Sequence, residues 1–143
     1  MPFEAGRVTS MFNRGRVHPA IDLGGPMGVP VLATSNGQTV TFAGPYGGYG
    51  LTVRTKDKQG REHLYAHLSA IQARIGLTLA QGERLGSLGS TGFSTGPHVH
   101  YEVKDASGRH IDPATLLFPG RTVGVGHAWT TTGLRAPSLA ARD

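Results

Sequence analysis

The sequence predicts a single, mainly β domain built from short strands, and three features of the chain indicate this fold class. A length of 143 residues is that of one domain. The chain contains 22 glycines and nine prolines, and this glycine content is about twice the usual share. Between these turn-forming residues, segments with strand character recur about every ten residues, as they do in β-sandwiches and barrels.

The predicted strands are bounded by glycine or proline and carry apolar or β-branched residues. They are Arg7–Phe12, Val29–Ala33, Gln38–Ala43, Leu51–Lys56, Glu62–His67, Glu83–Leu88 and His98–Lys104. Two turns, Asp57–Gly60 and Asp105–Gly108, predict hairpin tips, and the second leads into Arg109–Ile111. Asp112-Pro113 should then end the sheet, because proline cannot donate to a strand ladder.

Helix signals are nearly absent from the sequence. The best candidate is Leu68–Ile75, which Gly76 closes. After Pro119 the sequence shows no sustained period of about 2 or 3.6 residues. We therefore expect a domain over residues 1–119 and a C-terminal extension or linker over residues 120–143.

Composition and charge exclude several classes of protein. The chain has no cysteine, which excludes a disulfide framework, a cysteine-ligated zinc site and a cysteine nucleophile. Its formal charge of +5 favours an anionic partner such as nucleic acid or a wall polymer, but the basic residues form no run and a solvated surface also explains them. No apolar stretch reaches the roughly 18 residues that span a bilayer. The first residues also lack the apolar core of a signal peptide.

Seven histidines carry the main chemical signal, through the spacings His18–Asp22, His63–His67 and His98–His100. Residues i and i+2 of a strand lie on one face, about 6.6 Å apart. His98 and His100 could therefore share a site, in which one binds a metal and the other acts on water beside it. A polar sheet face with ordinary exposed histidines is the alternative.

Joint ligation by His18 and Asp22 requires a bend in the backbone between them. Pro19 disfavours a helix at His18, and on a fully extended strand the two residues would lie about 13 Å apart. Two imidazoles and one carboxylate suit zinc and leave a position open for water. Zinc lowers the pKa of that water to about 7, and a neutral histidine nearby could accept its proton as general base.

The other histidines and one competing motif have simpler explanations. His63 is predicted to share a strand face with His67 and to be non-catalytic, His110 to be structural or exposed, and His127 to lie at the surface. Gly92–Gly96 fits the Gly-x-Ser-x-Gly nucleophile elbow, but a strand and a proline follow it instead of a helix. Neither a phosphate-binding loop nor a His-Glu-x-x-His helix motif occurs in the sequence.

Three ordered segments resemble the lysostaphin/LytM-type zinc endopeptidases, which cut the peptides of peptidoglycan. Residues 15–26 resemble the family's His-x-x-x-Asp segment, and residues 64–69 resemble its Tyr-x-His-Leu-Ser segment. Residues 89–102 resemble its signature loop and His-x-His strand, and residues 82–89 its lipoyl-like hairpin. The similarity extends over about residues 7–119.

This resemblance implies an antiparallel β-sheet sandwich of the LytM/lipoyl-like (barrel-sandwich hybrid) type, with few or no helices. It implies one zinc ion per chain, held by His18, Asp22 and His100. His67 and His98 would be the catalytic histidines, which activate water and stabilise the tetrahedral intermediate.

The resemblance also implies that loops wall a narrow groove, and Gly44–Gly50 is the candidate for one wall. The expected protein is a monomeric zinc endopeptidase that hydrolyses stem peptides or cross-bridges of peptidoglycan, at the cell envelope or outside the cell. It is expected to have no specific nucleic-acid partner and no membrane insertion. The chain begins close to its first motif without a leader, which also fits a phage-encoded or virion-carried enzyme, or an excised domain.

Two alternatives from other classes stay open at this point. One is a non-catalytic wall-binding or regulatory module on the same fold, although every expected ligand residue is present. The other is a lipoyl-like carrier with Lys58 at a hairpin tip, although that turn lacks the hydrophobic flank of a carrier.

Overall fold

The structure is a computed structural model that describes residues 1–13 and 18–130. Its strands, in chain order, are β1 Ala5–Ser10, β2 Ala20–Gly24, β3 Pro30–Leu32, β4 Gln38–Pro45, β5 Leu51–Lys56, β6 Glu62–Leu68, β7 Ala70–Ile71, β8 Thr78–Leu79, β9 Arg84–Ser87, β10 His98–Lys104, β11 His110–Ile111 and β12 Ala128–Thr130. A 3-10 turn covers Gly47–Tyr49, and the helix α1 covers Ala114–Leu117.

The strands form two antiparallel sheets that share one hydrophobic core. The larger sheet has the order β12-β1-β2-β10-β6-β5-β4-β8, with β11 paired to β10, and the smaller sheet has the order β3-β9-β7. Fully buried side chains come from both sheets, including Val31 and Leu85 from the smaller one and Leu23, Tyr65 and Tyr101 from the larger one. This architecture confirms the mainly β, antiparallel fold class predicted from the sequence.

Each of the seven predicted strands is present, with ends that differ by at most a few residues. Both predicted hairpin tips are also confirmed. The Asp57 amide donates to the Arg61 carbonyl at 3.0 Å, and the Asp105 amide donates to the Arg109 carbonyl at 2.8 Å. The strands around these tips carry the side chains from which the site is built.

The predicted helix at Leu68–Ile75 is wrong. Leu68 ends β6, and β7 follows at Ala70–Ile71, where it pairs with β9. The Ser69 hydroxyl donates to the Leu88 carbonyl at 3.1 Å instead of capping a helix. The segment contains good helix formers, but pairing with β9 in the folded chain outweighs that local preference.

Strand β2 was not predicted, although it lies in the middle of the larger sheet. Its five residues include Asp22 and end in Gly24, and both residue types are depleted in strands. The pairing of β2 with β1 on one side and β10 on the other supplies the hydrogen bonds that a short strand needs. The outcome is that Asp22 stands beside β10.

Part of the predicted C-terminal extension returns to the sheet. Strand β12 pairs with β1, and the Trp129 indole donates to the Phe3 carbonyl at 3.1 Å. His127 is half-buried, with its ring 5.2 Å from that of Phe118. Residues 131–143 lie outside the described part, and the division into a domain at 1–119 and an extension at 120–143 stays a prediction. Within the described residues, no helix has the length and apolar character needed to cross a membrane.

Candidate active site

The site is built on strand β10, whose alternate residues face opposite sides of the sheet. The residues that face the core are fully buried: Val99, Tyr101 and Val103. On the other face, His100 lies directly opposite Asp22 of β2 and Ala66 of β6. His98 and Glu102 share this face, so the antiparallel register itself gathers the polar side chains.

The three predicted metal ligands come together at this point. Single ligand atoms of His18, Asp22 and His100 all lie within 4.8 Å of one another. The Nε2 atom of His18 is 3.4 Å from Oδ2 of Asp22, and Nδ1 of His100 is 2.9 Å from Oδ1 of Asp22. His18 precedes β2 and Pro19, so the backbone provides the bend that joint ligation requires.

Hydrogen bonds fix which nitrogen His18 and His100 present to the cluster. Nδ1 of His18 lies 2.7 Å from the Met11 carbonyl. Because a carbonyl oxygen only accepts, this nitrogen carries the proton and Nε2 keeps its lone pair toward Asp22. Nε2 of His100 donates to Glu102 at 2.8 Å, which leaves Nδ1 toward Asp22.

The electrostatics of the cluster favour ionised carboxylates. Burial alone would raise the pKa of Asp22, but its hydrogen bond from His100 and the charges of the surrounding histidines lower it. Burial alone would likewise lower the pKa of His100, but its hydrogen bonds to Asp22 and Glu102 raise it to about 9. A metal ion at this position would take the place of the proton on Nδ1, because ligation requires a deprotonated nitrogen.

His67 reaches the same face through an unusual backbone conformation. Regular alternation along β6 would turn it toward the core with Tyr65, which lies opposite Tyr101. Among the residues that the structure describes, His67 is the single non-glycine residue with a positive φ, at 62°. This left-handed conformation places its ring 4.8 Å from the ring of His98. Such a conformation costs about 1–3 kcal/mol and is concentrated at functional sites.

Backbone carbonyls hold both of these histidines in one tautomer. Nδ1 of His67 donates to the Thr91 carbonyl at 2.6 Å, and Nδ1 of His98 donates to the Gly96 carbonyl at 2.8 Å. In both rings Nε2 therefore keeps its lone pair. Burial lowers the pKa of His67, the hydrogen bond to the Thr91 carbonyl opposes this in part, and the charges of the nearby His98 and His100 lower the pKa further.

An open groove of about 770 Å³ runs over these side chains. The five predicted site residues line it together with Gly48, Tyr49 and residues 92–95. Gly48 and Tyr49 belong to the loop that the sequence indicated as one wall. Phe93 stands at the mouth of the groove with 89% of its surface exposed, and its amide donates to the Gly48 carbonyl at 2.8 Å.

The prediction that His63 shares a face with His67 is wrong. His63 is buried on the core side, where its ring lies 5.9 Å from the ring of Tyr101. The positive φ of His67 separates two residues that strict alternation would place together. His63 does not line the groove, and its non-catalytic role stays a prediction.

Three residues near the site were given no individual role in the sequence interpretation. Glu102 accepts hydrogen bonds from His100 and His110. Tyr49 places its ring 5.4 Å from that of His100. Thr91 holds the segment that follows His67, since its hydroxyl donates to the Leu68 carbonyl. Glu102 left a signal in the sequence, because period-2 alternation puts it on the face of His98 and His100, and Tyr49 lies in the loop predicted as a groove wall.

The competing serine motif lies in a different context from a nucleophile elbow. Residues 92–96 form bends that lead directly into β10, with no helix after them. The Ser94 hydroxyl donates to the Gly96 carbonyl at 2.8 Å. The groove instead combines a two-histidine, one-carboxylate donor set with two further histidines whose Nε2 atoms are free to exchange protons. This combination is typical of metal-dependent hydrolases.

The chain belongs to Peptidase family M23, whose family model matches residues 16–113. This membership confirms the resemblance noted in the sequence. The curated relatives include the DD-carboxypeptidase/endopeptidase Mpg of Neisseria meningitidis, 42% identical over 113 residues, which are 79% of this chain and 26% of that protein. The peptidoglycan DD-endopeptidase ShyC of Vibrio cholerae is 33% identical over 128 residues, covering 82% of this chain and 29% of that protein. The chain thus spans about a quarter of the length of these relatives.

Solved structures show the same fold. The catalytic domain of the antimicrobial peptidase lysostaphin from Staphylococcus simulans superposes with a TM-score of 0.67 at 28% identity, covering 80% of this chain and 92% of that one. A zinc-containing peptidase from Vibrio cholerae superposes with a TM-score of 0.69 at 26% identity, covering 87% of this chain and 41% of that one.

Proposed function

We propose that this protein is a zinc-dependent endopeptidase that hydrolyses peptide bonds in the stem peptides or cross-bridges of bacterial peptidoglycan. The observation that carries the proposal is the joint presence, in one groove, of a three-residue ligand cluster and two histidines with free Nε2 atoms. Family membership supports peptidase activity. The name of the relative ShyC supports peptidoglycan as the substrate.

The residues present fit a zinc ion. His18 and His100 would supply imidazole nitrogens and Asp22 a carboxylate oxygen, which is a donor set that zinc accepts with a position left open. Bound zinc would lower the pKa of a water molecule and polarise a carbonyl group. We assign one zinc ion to each chain on this basis.

The chain's own groups would move the protons of the reaction. Nε2 of His98 lies 3.9 Å from Oδ1 of Asp22, close enough to the ligand cluster to accept a proton from a water beside it. His67, whose pKa is lowered by burial, can act as a neutral acceptor on the same side. Both rings are held by backbone carbonyls, so their free nitrogens are oriented before substrate arrives.

The shape of the groove fits an extended peptide. It is open to solvent, and its walls include Gly48 and residues 92–95. A substrate of this kind places the working protein at the cell envelope or outside the cell. We assign the activity to a monomer, because all five proposed residues come from one chain.

The proposal is tested by metal content together with loss of turbidity of purified peptidoglycan, in wild type and in His98→Ala. We expect about one zinc ion per chain in both proteins and lysis only by wild type, because His98 moves protons without holding the metal. His127→Ala is the matched control, since the His127 ring contacts Phe118; it should retain both zinc and lysis.

Other results would count against the proposal in distinguishable ways. Zinc in both proteins without lysis by either would favour a non-catalytic wall-binding module. Lysis retained by His98→Ala would remove the assigned proton acceptor. A wild-type protein that binds no zinc would overturn the metal centre itself.

A further inference from the structure

We propose that Glu102 is a positioning residue that determines which nitrogen of His100 faces the metal, and that it ties this ligand to strand β11 through His110. The inference rests on the metal centre of the proposed function. It goes beyond that function because it assigns a role to a side chain that lies outside the set of ligands and catalytic histidines.

Glu102 lies in a buried environment in which its carboxylate oxygens are hydrogen-bonded. The residue is 5% exposed, and its two carboxylate oxygens have separate partners. Oε2 accepts from Nε2 of His100 at 2.8 Å, and Oε1 accepts from Nε2 of His110 at 2.9 Å. Tyr49 lines the same small pocket as Glu102 and His110.

These contacts decide the tautomer of His100. An ionised carboxylate only accepts hydrogen bonds, so Nε2 of His100 must carry a proton. Nδ1 is then the nitrogen available for a metal, and it already lies 2.9 Å from Oδ1 of Asp22. A carboxylate behind a ligand histidine fixes the ring orientation and raises its basicity, and loss of such a partner typically weakens metal binding about 10–100-fold.

The neighbours of Glu102 also connect three parts of the fold. His110 lies in β11, and Tyr49 lies in the 3-10 turn that lines the groove. The ring of Tyr49 packs 5.4 Å from the ring of His100. A buried carboxylate is costly unless it is paired, and the two histidine donors pair both oxygens of Glu102, while the Tyr49 ring packs the groove wall against His100.

The test compares Glu102→Ala and Glu102→Gln with wild type. Zinc affinity is measured by competition with a chromogenic chelator, and the tautomer of His100 is read by ¹⁵N NMR of the zinc-loaded proteins. In Glu102→Ala we expect about 10–100-fold weaker zinc binding and a mixed tautomer at His100. In Glu102→Gln the amide oxygen can still accept from Nε2, so the Nε2-protonated tautomer should persist with a loss in affinity of about threefold to tenfold.

Glu62→Gln is the matched control. Glu62 lies on the neighbouring strand β6, and its carboxylate contacts Arg54 at 3.3 Å without touching a ligand histidine. We expect zinc affinity within about twofold of wild type for this variant. An equal loss of affinity in Glu62→Gln and Glu102→Gln would overturn the proposal, because it would show a general effect of charge.

The remaining outcomes are also decisive. Wild-type affinity and an unchanged tautomer in Glu102→Ala would overturn the positioning role. If Glu102→Ala does not fold, then Glu102→Gln decides: a loss of zinc affinity of about 100-fold with the Nε2-protonated tautomer retained would overturn the positioning role, because the charge and not the hydrogen-bond acceptor would then matter. Because these readouts need no substrate, zinc binding without hydrolysis would count only against the proposed function. Absence of zinc binding by wild type would overturn both.

Discussion

Two histidine–carboxylate clusters lie on opposite faces of the same pair of strands, β6 and β10. On the core face, His63 is 1% exposed and both of its ring nitrogens have partners. Nε2 lies 2.9 Å from Oδ2 of Asp57, and Nδ1 lies 2.6 Å from the Tyr101 hydroxyl. This ring has no free nitrogen with which to exchange a proton.

On the groove face, within the described part of the chain, each of the corresponding imidazole rings has a hydrogen-bond partner on only one of its two nitrogens. His67 and His98 each use Nδ1 on a backbone carbonyl, and Nε2 of each faces the groove. The residue type and the presence of a nearby carboxylate are the same in both clusters. The open nitrogen, rather than the histidine–carboxylate pair, therefore distinguishes the cluster proposed to be reactive from the structural one.

The largest expected effect comes from replacing one histidine in each of the two clusters. His67→Asn keeps a residue that tolerates a positive φ but removes the imidazole, so hydrolysis of peptidoglycan should fall about 10²–10⁴-fold. His63→Gln should leave hydrolysis within a few-fold of wild type, but lower the free energy of unfolding by about 1–3 kcal/mol, because buried partners lose their hydrogen bonds. Turnover assays and denaturant unfolding of both variants measure the two effects.

Reversed phenotypes of the two variants would contradict this distinction between the groove cluster and the core cluster. A folded His63→Gln protein without turnover would mean that the core cluster takes part in the chemistry. Full turnover by His67→Asn would mean that an open nitrogen at this position is not needed.

The second effect is on stability and its dependence on pH. Burial alone would raise the pKa of Asp57, but the hydrogen bonds from His63 and Arg61 lower it to about 2. Because the unfolded value is about 3.9, the stabilisation is complete above that value and is lost as the pH falls toward 2. Asp57→Asn should therefore lower the free energy of unfolding by about 1–3 kcal/mol at pH 7, and the difference from wild type should shrink between about pH 4 and pH 2.

Asp105→Asn provides the control for this prediction. Asp105 also accepts backbone hydrogen bonds at a hairpin tip, but it is only partly buried and its side chain accepts a hydrogen bond from the Ser107 hydroxyl instead of from a histidine. Its loss in stability, measured by the same denaturant unfolding, should be smaller than that of Asp57→Asn. Equal losses would show that the turn, and not the buried cluster, depends on the carboxylate.

The smallest effect concerns the loop that orients His67. A Cβ atom added at Gly92 would lie less than 3 Å from backbone atoms of Gly48 and Gly50, and the displacement would reach Thr91, whose carbonyl holds the ring. Gly92→Ala should lower kcat/KM about tenfold with a stability loss of about 1–3 kcal/mol. Gly108→Ala has a similar positive φ and nothing within 4 Å, so it should lose stability without losing kcat/KM. Equal kcat/KM in both variants would show that this loop does not orient His67.

Much of the site could be predicted from the sequence because the chemistry sits on regular elements. Strand β10 has the predicted bounds, and alternation placed His98 and His100 on one face. The separation of His63 from His67 could not be predicted, because alternation fails at a left-handed residue and the contact that holds His67 comes from distant Thr91. The missed strand β2 and the wrong helix prediction at 68–75 have the same cause, because pairing with strands distant in the sequence determines the structure of both segments.

The pairing of β12 with β1 has a consequence for how this fold can be carried in a longer polypeptide. Ala5 lies opposite Thr130 at the outer edge of the larger sheet, so the chain enters and leaves the described body at neighbouring points. A domain whose ends lie close together can be inserted into another chain, or circularly permuted, with little distortion of its core. The same pairing covers the edge of β1, which would otherwise offer unpaired backbone groups to another chain.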